Sequence, residues 1–335
     1  MSPSSLHELA RRSRLLWVGG KGGVGKTTTA AALALAEAER GRTVRLVSTD
    51  PAHNLGHLFD QSIGDAAEGW GAPITETLSA LELDPQRVAD RHLSEVEVRL
   101  RQLMPEHLRG EIKKQLELAR RAPGLHEAAL LERVAVLTEE HFAANDDALL
   151  VFDTAPSGHT ARLLVLPELM SAWASGLLER RTHADRLGRA FRKLASDEVA
   201  TRAIGSRSRD DEIRHTLEHR RARLAGLRDR LLDTATTQFV LVLAAERLPV
   251  LESLELAQTL SEQGIRVGAG VVSRRLPEDA GPYFTGHRAR ESEHLARLRR
   301  GLPELPLVEA PLLAEEPVGL DGLRRVAQSW APCRP

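Results

Sequence analysis

Eight consecutive residues, Gly20-Lys21-Gly22-Gly23-Val24-Gly25-Lys26-Thr27, concentrate the groups in this chain best suited to holding an anion. They satisfy the pattern Gly-x4-Gly-Lys-Ser/Thr. In that pattern glycines let successive backbone N–H groups converge, while a lysine and a hydroxyl reach the same point. The apolar run Leu15 to Val18 precedes the loop, and an Ala- and Leu-rich segment, Thr28 to Arg40, follows it. A strand feeding a loop that opens a helix also brings the positive end of the helix dipole to the anion. The ligand that suits this arrangement is a nucleoside triphosphate, with Lys26 at the β- and γ-phosphates and the Thr27 hydroxyl on Mg²⁺. Lys21 is an addition the pattern does not require. Only five of the 46 basic residues are lysine, so a second lysine inside the loop invites a functional reading, facing the phosphates of its own subunit or of a neighbour, beside the plainer one of an exposed loop charge.

Two further stretches sit where such a site needs carboxylates. Ser48-Thr49-Asp50-Pro51-Ala52-His53-Asn54-Leu55 follows the apolar run Val44 to Val47. An aspartate there can orient water for in-line attack on a γ-phosphate; taken alone, Asp50-Pro51 also reads as a turn. Asp153-Thr154-Ala155-Pro156-Ser157-Gly158-His159-Thr160 follows the run Leu149 to Phe152. Asp153 suits the water shell of Mg²⁺, and Gly158 would let a backbone N–H approach the γ-phosphate and sense it.

The elements that must position these residues are legible as apolar runs. Leu15–Val18, Val44–Val47, Leu149–Phe152, Phe239–Leu243, Val267–Val272 and Leu307–Val308 are short, continuous and bounded by turn residues, as strands buried on both faces are. Helical patterns lie between them. The expectation is an α/β fold, a mostly parallel sheet wrapped by helices, with functional residues just past the carboxyl ends of its strands. Residues 86–145 and 168–236 break the alternation and read as an inserted helical subdomain. The core would then comprise about 12–85, 146–167 and 237–330. Within the second helical stretch Ile213, Leu217, Leu224, Leu227 and Leu231 fall on one face of an Arg-rich helix. Ser196 to Asp211 reads as a polar loop, and Met104 and Met170 as core fillers.

Composition narrows the classes further. The 335 residues carry a formal charge of −1, so no global field favours nucleic acid or an anionic membrane. The single cysteine, Cys333, rules out an internal disulfide and a Cys-based zinc or iron–sulfur centre within one chain. The N-terminal stretch lacks the apolar core of a secretion signal, and no apolar run is long enough to span a bilayer. A cytoplasmic protein without an integral membrane segment is expected.

The stretches Gly20–Thr28, Ser48–Leu55 and Asp153–Leu164 together resemble the ArsA family of ATPases. That family includes the arsenite-pump ATPase and the ATPase that targets tail-anchored membrane proteins. Leu83-Asp84-Pro85, Pro123–Glu127 and Ala310–Gly319 extend the resemblance across nearly the whole chain. The resemblance implies a deviant phosphate-loop ATPase working as a homodimer, with ATP as substrate and Mg²⁺ as cofactor. It further implies that Lys21 contacts the opposite subunit's nucleotide and that Gly20, Gly22, Gly23, Val24, Gly25, Lys26, Thr27 and Thr28 hold phosphate. Asp50 is implied as the catalytic aspartate of a first switch, with Asp153 on the Mg²⁺ side and Gly158-His159 in a second switch. Thr27, Asp50 and Asp153 would hold the metal, partly through water. Glu246 matches an acidic residue after its strand, and the loop around Pro311 and Leu312 resembles one that packs on adenine. The family usually has Asn to hydrogen-bond adenine where this chain has Ser273, which reaches less far. The zinc-binding Cys pair of the eukaryotic targeting members and the arsenite-binding cysteines of the pump members are both absent.

The reading favoured by these features is a Mg²⁺-dependent ATPase whose homodimer opens and closes on a hydrophobic client helix or membrane partner protein. Two alternatives stand beside it: the ATPase subunit of an arsenite or anion efflux pump, and a nucleotide-gated scaffold with little turnover. The pump would require soft thiolate ligands.

Overall fold

The computed structural model describes residues 4–50, 54–64, 70–103, 116–118, 120–121, 124–144, 147–154, 215, 218–277 and 280–333. They fall into two units by backbone contacts. The first is drawn from Met1–Pro85, His141–Leu164 and Arg230–Pro335, and the second from Gln86–Glu140 and Val165–Asp229.

Among the described residues the first unit is built on nine strands: β1 (Leu15–Gly20), β2 (Val44–Ser48), β3 (Ala72–Pro73), β4 (Leu78–Glu82), β5 (Leu149–Asp153), β6 (Thr237–Ala244), β7 (Val267–Arg275), β8 (Leu307–Pro311) and β9 (Ala331–Pro332). They form one sheet in the order β3-β4-β2-β5-β1-β6-β7-β8-β9. The seven inner strands pair in parallel, and the two-residue strands β3 and β9 close the edges antiparallel. This is the α/β class expected, and all six anticipated strands are present. The central strands β1, β5 and β6 are buried along their whole length, which is why each reads as an unbroken apolar run.

Helix α1 (Ser4–Arg12) precedes β1, α2 (Lys26–Ala38) follows the glycine loop, and α3 (Asn54–Phe59) follows β2. Ala30, Ala31, Ala32, Leu33, Ala34 and Leu35 of α2 are all buried. Small alanines let the helix approach the sheet closely, and Leu33 and Leu35 fill the remaining space. Replacing either leucine with alanine is expected to cost about 2–5 kcal/mol through lost burial and the cavity left behind. Later in the chain come a 3₁₀ turn (Pro282–Phe284) and three helices of this unit. In chain order after α4 (Pro85–Leu103) and α5 (Leu125–Ala143), these are α6 (Arg247–Glu262), α7 (Thr285–Gly301) and α8 (Gly319–Ser329).

The second unit is helical in its described residues. It takes most of α4 and α5 together with residues 218–229 of a helical stretch that runs on to 232 in the first unit. Leu224, Leu227 and Leu231 are buried while Arg221, Arg228 and Arg230 face solvent, so this part of the anticipated apolar stripe is covered. Salt bridges Arg223–Glu139 (2.7 Å) and Arg220–Glu132 (3.1 Å) join this stretch to α5. Ile213, Leu217, Met104, Met170 and the stretch Ser196–Asp211 lie outside the described residues.

Candidate functional site

Parallel register lines up the carboxyl ends of four strands. Ser48 is the pairing partner of both Glu82 on β4 and Asp153 on β5, and Asp153 is in turn the partner of Val18 on β1. The chain leaves β1 through Gly20, whose backbone lies so close to β6 that a Cβ would meet the Val242 carbonyl oxygen at 2.0 Å. It enters α2 at Gly25, the helix N-cap, with φ 86° in the left-handed region that glycine adopts without penalty. These two demands explain glycine at the first and sixth positions of the loop.

Lys26 is buried, with 4% of its surface exposed, and its ammonium donates to the Lys21 carbonyl at 3.1 Å. Burial lowers its pKa, while the charges of Asp153 and Asp50 pull it back up. A buried ammonium with one carbonyl acceptor suits an anionic ligand. The Thr27 hydroxyl donates to Asp153 Oδ2 at 2.8 Å. Asp153 is fully buried, and its Oδ1 has no hydrogen-bond partner among the described residues. Desolvation raises its pKa to about 7, against the lowering effects of the Thr27 hydrogen bond, the Lys26 charge and the Ser48 hydrogen bond. An orphaned carboxylate oxygen beside a threonine hydroxyl is a hard-oxygen donor set, of the kind that holds a small divalent cation directly or through water.

The loop after β2 is anchored at several points. The Thr49 N–H donates to the Asp153 carbonyl at 2.9 Å, and the Asp50 N–H donates to the Ser48 hydroxyl at 3.2 Å. On the far side, the buried Glu82 carboxylate accepts from the N–H groups of Leu55 (2.7 Å) and Gly56 (3.1 Å) in the first turn of α3. Neither Ser48 nor Glu82 was assigned a role from the sequence. Ser48 stood inside a recognised stretch, and Glu82 lies one residue before the Leu83-Asp84-Pro85 match.

Lys21 does not face the interior of the loop. Its ammonium forms a 2.6 Å salt bridge with Glu252 on α6, and each side chain is about one-third exposed (35% and 33%). Glu246, at the N-cap of α6, makes no side-chain cap. Ser273 ends up beneath the loop: its hydroxyl donates to the Val24 carbonyl at 2.5 Å, with the Leu243 carbonyl at 3.3 Å. That hydroxyl proton is therefore spent on the loop, and only the oxygen lone pairs remain for a base. Pro311 pairs with Arg275 at the end of β7, and the Leu312 N–H donates to the Arg275 carbonyl at 2.8 Å. Leu312 is 47% exposed beside it. Gly22, Gly23 and Thr28 lie on the loop and the first turn of α2. Pro51 to His53, Gly158 and His159 lie outside the described residues.

Residues 13–331 match the family model described as "Anion-transporting ATPase". Among similar proteins, the "Arsenical pump-driving ATPase" of Acidiphilium multivorum is 33% identical over 314 residues, covering 92% of this chain and 48% of that protein. "ATPase GET3B" of Arabidopsis thaliana is 32% identical over 328 residues, covering 92% and 76%. "ATPase GET3" of Chaetomium globosum is 30% identical over 348 residues, covering 98% and 93%. The chain spans about half the length of the pump-driving relatives of Acidiphilium multivorum and Escherichia coli, and 98% of the "Putative arsenical pump-driving ATPase 2" of Aquifex aeolicus.

Proposed function

Since this chain belongs to the ArsA family of anion-transporting ATPases, we propose that it hydrolyses ATP with Mg²⁺ at the loop Gly20–Thr28, and that it does so as a homodimer. The observation that carries the chemistry is the cluster of buried Lys26 and Asp153 with half-buried Thr27, which offers an ammonium, a hydroxyl and a carboxylate oxygen without a hydrogen-bond partner among the described residues. The loop N–H groups and Lys26 bind the phosphates. Thr27 and Asp153 hold the cation, with Asp50 sharing that duty through water. When bound, Mg²⁺ draws charge from the phosphate oxygens and fixes their orientation. Asp50 orients the attacking water, and exclusion of solvent around Lys26 strengthens each of these contacts. Lys21 completes the partner's site. Gly158, Ser273, Pro311 and Leu312 complete the nucleotide contacts.

The homodimer opens and closes on a hydrophobic client segment held by the helical subdomain expected over residues 86–145 and 168–236. The chemical test is phosphate release by purified protein in Mg²⁺, with nucleotide Kd measured separately. Lys26→Ala should lose nucleotide affinity. Asp50→Asn should keep affinity and lose about 10²-fold in kcat, as for other groups that position or activate a nucleophile. Wild-type turnover by Asp50→Asn would remove Asp50 from the mechanism. No turnover by the wild type, with tight ATP binding, would return the scaffold reading.

A further inference from the structure

We propose that Ser48 is a positioning residue that ties the water-orienting loop to the metal-side carboxylate, so that Asp50 and Asp153 move as one unit; this rests on the reading of the site as one for ATP hydrolysis. Three observations converge on its hydroxyl. Ser48 is 1% exposed, at the carboxyl end of β2 and directly opposite Asp153 in the β2–β5 register. Its Oγ–H donates to Asp153 Oδ2 at 3.0 Å, the same oxygen that accepts from Thr27 at 2.8 Å. Its Oγ accepts from the Asp50 N–H at 3.2 Å. One hydroxyl therefore serves as donor to one carboxylate and as acceptor for the backbone of the residue carrying the other.

The chemistry assigns each bond a purpose. A buried carboxylate with two hydroxyl donors on Oδ2 has that oxygen saturated, which turns the remaining oxygen, Oδ1, toward a further ligand. Rotation of Asp153 would break both donors at once. The Asp50 N–H, held by Ser48, fixes where the loop leaves the strand and hence where the Asp50 carboxylate begins its reach. Alanine at position 48 would leave the Asp50 N–H without that acceptor and Asp153 with a single donor. Its volume change is small, so the sheet around it should persist. Glu82, the other register neighbour of Ser48, pins the first turn of α3 beyond the loop. The loop is thus tethered at both ends, but only the Ser48 end touches the carboxylate of the metal side.

The test uses the full chain, ATP and a fluorescent ATP analogue. Ser48→Ala should bind the analogue in EDTA within about twofold of wild type, because the phosphate cradle and Lys26 are untouched. In saturating MgCl₂ it should lose about tenfold of the Mg²⁺-dependent gain in affinity, the size expected when a hydrogen bond to a charged group is removed. It should also lose about tenfold or more in kcat, with KM for ATP changing less. Ser48→Thr, which restores the hydroxyl, should recover most of both losses. Equal loss of affinity in EDTA and in MgCl₂ would overturn the proposal, since a merely structural role would act on both. So would wild-type kcat in Ser48→Ala, or a Ser48→Thr variant as impaired as alanine. The ATPase reading fails separately, if the wild type itself neither binds nor turns over ATP; the Ser48 proposal fails when the wild type works and the variants do not separate as stated.

Discussion

Cys333 lies among charged groups at the end of the sheet. Its thiol donates to Glu309 Oε1 at 3.0 Å, and Arg299 donates to both its sulfur and its carbonyl, each at 3.0 Å. Arg275, itself buried, pairs with Glu291 and with Glu309. Burial, then the hydrogen bond to Glu309 and its negative charge, push the Cys333 thiol up to about 12. The folded pKa stands above the ordinary value near 9, so the native fold favours the protonated thiol. That contribution to stability is whole below about pH 9 and is lost as pH rises toward about 12. Alkylation by iodoacetamide, followed by intact mass, should be on the order of a hundredfold slower in native protein than in urea at pH 8. The native rate should keep climbing past pH 10, where the unfolded rate levels off. Equal native and unfolded rates at pH 8 would show a thiolate the surroundings do not suppress. A suppressed thiol also bears on the pump reading, because an arsenic(III) site needs several thiolates together.

At the scale of elements, the sheet explains what the sequence displays and what it conceals. Continuous runs such as Leu149–Phe152 announce β5 because both of its faces are covered. Strand β4, Leu78-Ser79-Ala80-Leu81-Glu82, was not anticipated: its leucine, alanine and glutamate are good helix formers, and its burial comes from pairing with β2 and β3. The roles of Ser48 and Glu82 follow from that same cross-strand register, which no local pattern encodes. Lys26, Thr27 and Asp153 were legible because the loop pattern and a strand-end aspartate fix residue type and place together. Lys21 was legible as an anomaly, but its partner Glu252, 231 positions away, was not. That pairing makes a prediction about α6. If Lys21 acts on a neighbouring subunit's nucleotide, it must first leave Glu252. Both side chains are about one-third exposed, so the pair is screened and worth about 0.2–1 kcal/mol. Both pairs of a homodimer must open, so Glu252→Gln should lower the protein concentration needed for ATP-dependent dimerisation by up to about thirtyfold, read by sedimentation velocity. Lys21→Ala should bind ATP yet fail to dimerise. A Glu252→Gln variant that dimerises less well than wild type would show instead that the pair supports the loop.

At the scale of the whole molecule, the proposed ATPase would have to convert a phosphate contact into work on a partner. The formal charge of −1 supplies no general attraction for an acidic partner, so recognition would have to come from local surface. Among the described residues no helix is long and apolar enough to cross a membrane, and the covered face of residues 218–232 is not available to a client. Large exposed apolar side chains of the second unit include Val98 and Leu118 (55% and 64%). An incoming apolar helix would contribute about 25 cal/mol per Å² buried, before the cost of ordering it. If nucleotide state shapes a client groove, client and nucleotide must be linked. Whatever factor ATP adds to client affinity, the client adds to ATP affinity, because the two orders of binding close one cycle. The Asp50→Asn variant allows this to be measured without turnover. Titrating a labelled hydrophobic-helix peptide against it, with ATP and then with ADP, should give Kd values differing by about fivefold or more, the lower end of usual coupling. The reciprocal titration of nucleotide with peptide present should return the same factor. Arsenite should leave wild-type turnover unchanged, and Cys333→Ser should behave as wild type. Equal peptide affinities in the two states, with arsenite stimulation that Cys333→Ser abolishes, would replace the client reading with the pump.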